Sequence, residues 1–165
     1  MGQTKDIYLA GGCFWGIDEY FSRIPGVVGT ESGYANGSTA NPSYEEVCHG
    51  SGHAETVRVT YDPARVGLAT IVRQLFEVID PTSRNRQGND RGVQYRTGVY
   101  YTDEADLPVL RQVFADEQAA YDTPIVTELM PLENFYIAEE YHQDYLKKNP
   151  GGYCHVDFSS LKGLG

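Results

Sequence analysis

Along this chain the apolar period switches between two and 3.6 in the order strand, helix, strand, strand, helix, strand, and few architectures accept that order. Ile7-Tyr8-Leu9-Ala10 is a short apolar strand, and Ile17, Tyr20, Phe21 and Ile24 then recur at helical spacing until Pro25-Gly26 breaks the run. Val27 to Tyr34 reads as a glycine-containing strand. Thr56 to Tyr61 alternates, with Val57, Val59 and Tyr61 on one face and Thr56, Arg58 and Thr60 on the other. Leu68, Ile71, Val72, Leu75, Phe76 and Ile79 match the helical template without a miss and stop at Asp80-Pro81. Thr97 to Tyr101 is the next strand. This is the βαββαβ order of a ferredoxin-like split βαβ unit. The expected fold is therefore α+β, a two-layer sandwich with helices packed on a mixed sheet. A helix capped by Asp103 and carrying Leu107, Leu110, Phe114 and Tyr121, a strand over Ile125 to Met130 and a short helix over Ile137 to Leu146 would extend it. Pro150-Gly151-Gly152 opens an irregular C-terminal tail.

The 165 residues are expected to form one domain, with a core over about 5–148 and a mobile tail over 149–165. A net charge of −10 argues against nucleic acid and against anionic membrane surfaces as partners. No apolar run approaches membrane-spanning length. Asp6 breaks a myristoylation pattern after Met1-Gly2, and no charged and apolar leader precedes Cys13, so the expected location is cytoplasmic. Three cysteines, an odd number, do not make a secreted disulfide framework.

Cys13 lies in Gly11-Gly12-Cys13-Phe14-Trp15-Gly16, at a glycine-lined turn from strand to helix. The first N–H groups of a helix have no internal partners, and that end of the helix favours a thiolate over a thiol. The cysteine is thus a candidate nucleophile, against the bland alternative of a buried structural thiol. Its candidate partners stand in irregular segments. Glu55, in Gly52-His53-Ala54-Glu55, either serves Cys13 or is an exposed carboxylate at a strand end. Arg86 to Asp90 and Gln94-Tyr95-Arg96 form a dense polar cluster in a loop from Ser83 to Arg96, too long for a simple connection. Tyr44 is either a site residue or a core aromatic with its hydroxyl at the rim. Cys48, beside a short apolar turn, reads as structural. A Cys–His hydrolase would draw its base from His49, His53, His142 or His155. A metal-binding module would use Cys48, His49, His53, Cys154 and His155, whose spacing is looser than zinc sites show, and no metal is expected.

Seven blocks in order resemble peptide methionine sulfoxide reductase A. They are Gly12-Cys13-Phe14-Trp15-Gly16, Tyr44-Glu45-Glu46-Val47-Cys48, Gly52-His53-Ala54-Glu55, Asn85 to Asp90, Gln94-Tyr95-Arg96, Glu139 to Gln143, and Asn149 to Cys154. The resemblance runs from about Ile7 to His155. It implies reduction of the S epimer of methionine sulfoxide, free or within proteins, with thioredoxin or another dithiol as reductant and no further cofactor. It carries the nucleophile onto Cys13 and a methyl-binding aromatic wall onto Phe14 and Trp15. Tyr44, Glu55 and Tyr95 become partners of the sulfoxide oxygen, Asp90 a supporting hydrogen-bonding group, and Cys154 the resolving cysteine. Val93 and Thr97 stand where the family often has Thr and Ser, and Ile79 where His is common, but none of these carries a chemical role. With no cysteine after Cys154, a three-cysteine relay is not expected, nor is a fused reductase for the R epimer.

The resemblance can be tested against what the chemistry needs. A thiolate must attack the sulfoxide sulfur while the oxygen takes up protons and becomes the oxygen of a sulfenic acid. Lowering a thiol pKa from ~8.5 to ~6.5 raises the thiolate fraction at neutral pH about 25-fold. The same shift costs roughly 8-fold in nucleophilicity at a Brønsted slope of ~0.45, leaving a gain of about 3-fold. Acid assistance at the oxygen, typically ~10²–10⁴-fold, must carry more of the rate. Glu55 could supply it if burial among aromatics keeps its carboxyl protonated. Tyr44 and Tyr95 donate without titrating near pH 7. The sulfenic acid then needs a second thiol, and Cys154 on its Pro-Gly-Gly hinge is the expected one.

Overall fold

Odd and even positions of the first strand, β1 (Lys5–Gly11), go to opposite layers: Ile7 and Leu9 join the larger apolar cluster, Tyr8 and Ala10 a smaller one. The computed structural model of the chain describes residues 3–87 and 90–149. After β1 come α1 (Phe14–Ser22), β2 (Val27–Ala35), α2 (Tyr44–Cys48), β3 (Ala54–Tyr61) and α3 (Leu68–Val78). They are followed by β4 (Arg86–Gln87), β5 (Asp90–Arg91), β6 (Thr97–Tyr101), α4 (Leu107–Gln118), β7 (Glu128–Pro131), β8 (Phe135–Ile137) and α5 (Tyr145–Lys148).

Among the described residues six strands make one sheet in the order β7-β6-β1-β3-β2-β8. Its middle, β6-β1-β3-β2, is antiparallel throughout and has the strand order of the ferredoxin-like unit. The α4 crossover adds β7 parallel to β6, which makes the sheet mixed, and β8 pairs antiparallel with β2 at the other edge. Strands β4 and β5 form a small separate ribbon within the 83–96 loop.

One face of the sheet presents Ile7, Leu9, Val57, Val59 and Val99 to Ile17, Tyr20 and Phe21 of α1 and to Ile71, Val72 and Leu75 of α3. Helix α4 joins this side through an edge-on contact of Phe114 with Phe76 at 5.3 Å. On the opposite face Tyr8, Ala10, Ala35, Ala54 and Tyr100 are covered by Met130, Leu132 and Phe135. Strand β1 ends where α1 presses closest. A Cβ on Gly11 would stand 2.8 Å from Ile17 Cδ1, 2.9 Å from Ile79 Cγ2 and 3.1 Å from Leu75 Cδ1. Gly11→Ala is therefore expected to cost about 1–3 kcal/mol of overpacking and to lower the melting temperature by roughly 3–10 °C. An unchanged melt would mean that α1 withdraws from the sheet without penalty.

The expected elements differ from the observed ones mainly after Tyr121. The Asp103 carboxylate caps a 3-10 turn over Glu104–Asp106 that runs on into α4, with Pro108 tolerated near its start, and Tyr121 lies beyond the helix. The strand expected over Ile125 to Met130 is Glu128–Pro131. The helix expected over Ile137 to Leu146 does not form as one element. Ile137 ends β8, Glu140–His142 make a 3-10 turn, and only Tyr145–Lys148 are helical. The break falls at Asp144, whose φ of 51° is left-handed, and whose N–H is donated to Asp18 Oδ2 at 3.0 Å. Long-range hydrogen bonds outweigh the local helical period here. The tail expected over 149–165 lies, from residue 150 on, outside the described residues. No described helix is long and apolar enough to cross a membrane.

Candidate active site

Cys13 is the N-cap residue of α1, reached through Gly12 at φ 87°, a conformation that favours glycine. It is buried, with 8% of its surface exposed. The Phe14 N–H, one of the helix-end donors the sequence offers to a Cys13 thiolate, is instead donated to Glu55 Oε1 at 3.1 Å. This contact brings the carboxyl of β3 against the residue next to the cysteine. Strand parity puts it there. Glu55 shares its face of β3 with Val57 and Val59, so it points into the layer that holds α1. It is not an exposed strand-end carboxylate, since only 1% of it is accessible.

Burial, together with the nearby charge of Asp90, pushes the Glu55 carboxyl up to about 8, against the opposing pull of the Phe14 hydrogen bond. The carboxyl is therefore mainly protonated at pH 7. Oε2 has no hydrogen-bond partner among the described residues, so a proton there is not committed elsewhere. Tyr44, on α2, and Tyr95, in the 3-10 turn Val93–Tyr95, interact through their hydroxyls. Burial first, and then the Glu55 charge, hold both phenols well above the ordinary range, so both remain donors. Asp90, on β5, faces this group through the charge it exerts on Glu55 and on Tyr95. The structure thus brings Cys13, Glu55, Tyr44, Tyr95 and Asp90 to one place.

Arg96 staples the loops that meet there. Its Nη1 donates to the Gly52 and Val93 carbonyls at 2.9 and 3.0 Å, its Nη2 to Asn36 O at 3.3 Å, and its Nε pairs with Glu128 Oε1 at 2.8 Å. The turn carrying Tyr95 is thereby tied to the loop that leads into Glu55. Gln87, buried in the same region, clamps Asp80 by donating to its carbonyl at 2.9 Å and accepting its N–H at 2.8 Å.

Cys48 departs from the structural reading. It is an exposed free thiol at the end of α2, and Tyr44 and Gln94 both interact with its sulfur. Although the residue is exposed overall, partial desolvation of the thiol is the largest of the influences that raise it, with the Glu55 charge adding to it.

Glu139 and Tyr145 carry no individual role in the sequence reading, and His142 only that of a candidate hydrolase base; the structure sets all three against the site. Glu139 accepts the Tyr34 hydroxyl at 2.7 Å and the Tyr44 N–H at 3.0 Å, the latter at the start of α2. Burial opposes its charge, but these bonds outweigh it and hold the carboxyl below its usual range. His142 Nδ1 accepts the Trp15 indole N–H at 3.0 Å, and the Tyr145 ring stacks on Trp15 at 3.8 Å. The signal available in the sequence was the packing of acid, aromatic and histidine into Glu139 to Tyr145.

His53 is buried with Nδ1 paired to Ser51 Oγ at 2.8 Å, His142 Nδ1 is engaged by Trp15, and His49 is exposed. Among the described residues no three His, Cys, Asp or Glu side chains come together as a metal site. Gly88, Asn89, Cys154 and His155 lie outside the described residues.

Known proteins are similar to this chain in both sequence and fold. Peptide methionine sulfoxide reductase MsrA of Clostridium botulinum (strain Hall) is 59% identical over 153 residues, 92% of this chain and 98% of that one. The reduced form of Mxr1 from Saccharomyces cerevisiae superposes with a TM-score of 0.89 at 38% identity, covering 94% of this chain and 92% of that one. Mxr1 in complex with Trx2 aligns with a TM-score of 0.63 at 27% identity, over 87% and 85% of the two chains. The family model for peptide methionine sulfoxide reductase matches residues 5–163, and the chain belongs to that family.

Proposed function

We propose that this protein, acting as a single reductase domain, reduces the S epimer of methionine sulfoxide, free or in proteins, to methionine. The observation that supports it best is the buried Glu55 carboxyl, whose Oε1 accepts the Phe14 N–H at 3.1 Å at the Cys13 end of α1. A proton source and a nucleophile then meet the two ends of one S–O bond.

Cys13 attacks the sulfoxide sulfur while Glu55, with Tyr44 and Tyr95, donates to the oxygen. The methionine sulfur gains two electrons and is released as the thioether. Cys13 loses two electrons and keeps the oxygen as a sulfenic acid. Phe14 and Trp15 provide the apolar wall for the substrate methyl group. Asp90 supports the acid by disfavouring ionisation of Glu55. Cys154 then attacks the sulfenic sulfur, water leaves, and a Cys13–Cys154 disulfide forms. A dithiol returns both cysteines to thiols, with thioredoxin as the reductant, in keeping with the Mxr1–Trx2 complex. No other cofactor takes part, and the cytoplasm, where such dithiols are kept reduced, is the proposed location.

Thioredoxin-dependent turnover of the two separated epimers tests the reading: activity on S and none on R is expected, and activity on R alone would overturn it. Mass spectrometry of protein given substrate and no reductant should find Cys13 joined to Cys154. A Cys13 sulfenic acid beside a free Cys154 would remove Cys154 as the resolving thiol.

A further inference from the structure

We propose that His142 is a positioning residue which, by accepting the Trp15 indole N–H, fixes the aromatic wall against which the sulfoxide methyl group packs. The methyl-wall part of this rests on the reductase reading. The hydrogen bond does not.

An indole N–H can only donate, so the His142 Nδ1 that receives it at 3.0 Å is unprotonated and the ring proton sits on Nε2. Trp15 is held in two independent ways. Tyr145 stacks on it at 3.8 Å with an interplanar angle of 9°, which sets the plane of the indole but leaves it free to turn within that plane. The bond to His142 removes that remaining freedom. His142 is itself boxed in by Phe14 at 5.2 Å, Tyr44 at 4.6 Å and Tyr141 at 4.2 Å between ring centroids, and 1% of it is exposed. It therefore touches three of the proposed site residues, Phe14, Trp15 and Tyr44, from behind.

The segment carrying His142 is strapped to the same elements. Glu139 binds the first N–H of α2 and the Tyr34 hydroxyl. Gln143 takes the place of a sheet neighbour for Ser32, accepting its N–H at 2.8 Å and donating to its carbonyl at 2.8 Å. The Asp144 N–H binds Asp18 on α1. Burial keeps the imidazole below its ordinary range despite the nearby Glu139 carboxylate, which is consistent with a neutral acceptor. A slot that must fit a methyl group discriminates by its width, and one methylene is worth about 10–200-fold when the walls hold still.

The test uses the single tryptophan of the chain, which makes its indole N–H resonance unambiguous. Wild type, His142→Phe and His142→Asn would be compared at pH 7 by 15N NMR and by kinetics on methyl and ethyl sulfoxides. In wild type, His142 should show a bare Nδ1 and the indole N–H should exchange slowly. His142→Phe keeps the ring but loses the acceptor, so exchange should quicken at least ~10-fold. KM should rise about 5-fold, kcat should change less than about 3-fold, and the methyl-over-ethyl preference should shrink about 5-fold. His142→Asn, whose amide oxygen stands where Nδ1 stood, should restore both the indole signal and the preference. An indole signal unaltered in His142→Phe, or equal losses on both sulfoxides with the preference intact, would overturn the proposal. Should His142→Phe fail to fold, a proton found on Nδ1 in wild type overturns it, and a bare Nδ1 with rescue-level selectivity in His142→Asn supports it. A wild type inactive on both sulfoxides overturns the reductase reading and the positioning role together, even where the NMR result is as expected.

Discussion

Glu55→Gln is expected to slow single-turnover reduction by about 10²–10⁴-fold and, at the same time, to make the protein more stable at neutral pH. The loss follows because an amide has no proton to give, while its size and its bond from the Phe14 N–H at 3.1 Å are retained, so substrate binding should change little. The gain follows from the position of the carboxyl, whose pKa rises from 4.5 to about 8 on folding. The unfolded chain releases this proton above about pH 4.5 and the folded protein keeps it until about pH 8. Between those values the folded state binds the extra proton, so stability falls as pH rises, by about 1.4 kcal/mol per unit. At pH 7 the accumulated cost is roughly 3 kcal/mol, and glutamine removes it. Thermal melts from pH 5 to 8 should therefore show the variant gaining on wild type as pH rises. A variant that melts below wild type at pH 8 would mean that Glu55 is not held protonated.

The second large effect belongs to the two phenols. Tyr44→Phe and Tyr95→Phe should each slow single-turnover reduction about 10-fold, and the double variant about 10³-fold, more than the product of the two. Their hydroxyls interact with each other and feel the same Glu55 charge, so after the loss of one the other can still reach the sulfoxide oxygen. Losing both leaves Glu55 alone. Neither phenol titrates near neutrality, since burial and Glu55 hold both above their ordinary range, and the deficits should not vary between pH 6 and 8. Sulfide formed in rapid-quench experiments measures them, and a double variant only about 100-fold slow would mean the hydroxyls act independently.

The core of the fold was legible because each segment keeps one clean period. Val57, Val59 and Tyr61 on alternate positions and Leu68 to Ile79 on a helical stripe leave little choice, and the four central strands take the expected order. The alternation could also have been followed back to Glu55, whose parity with Val57 buries it. Strand β8 was not legible. Ile137 stands at helical spacing from Tyr141 and Tyr145, and it is a strand residue only through pairing with Gly33, 104 positions earlier. The support of the site was hidden for the same reason. Glu139 finds Tyr34 and Tyr44 at sequence separations of 105 and 95, and His142 finds Trp15 at 127, distances over which no local pattern speaks. Cys48 reads as structural only because it follows an apolar turn, whose Val47 is buried while the thiol itself is exposed.

The central claim is that a neutral Glu55 delivers the proton that lets Cys13 take the sulfoxide oxygen. The pH dependence of single-turnover reduction, wild type beside Glu55→Gln, tests it most directly. The wild-type rate should hold up to about pH 8 and then fall about tenfold per unit as Glu55 gives up its proton, while the slow variant shows no such fall. A glutamine variant that keeps the wild-type rate, or the same alkaline limb, would contradict it.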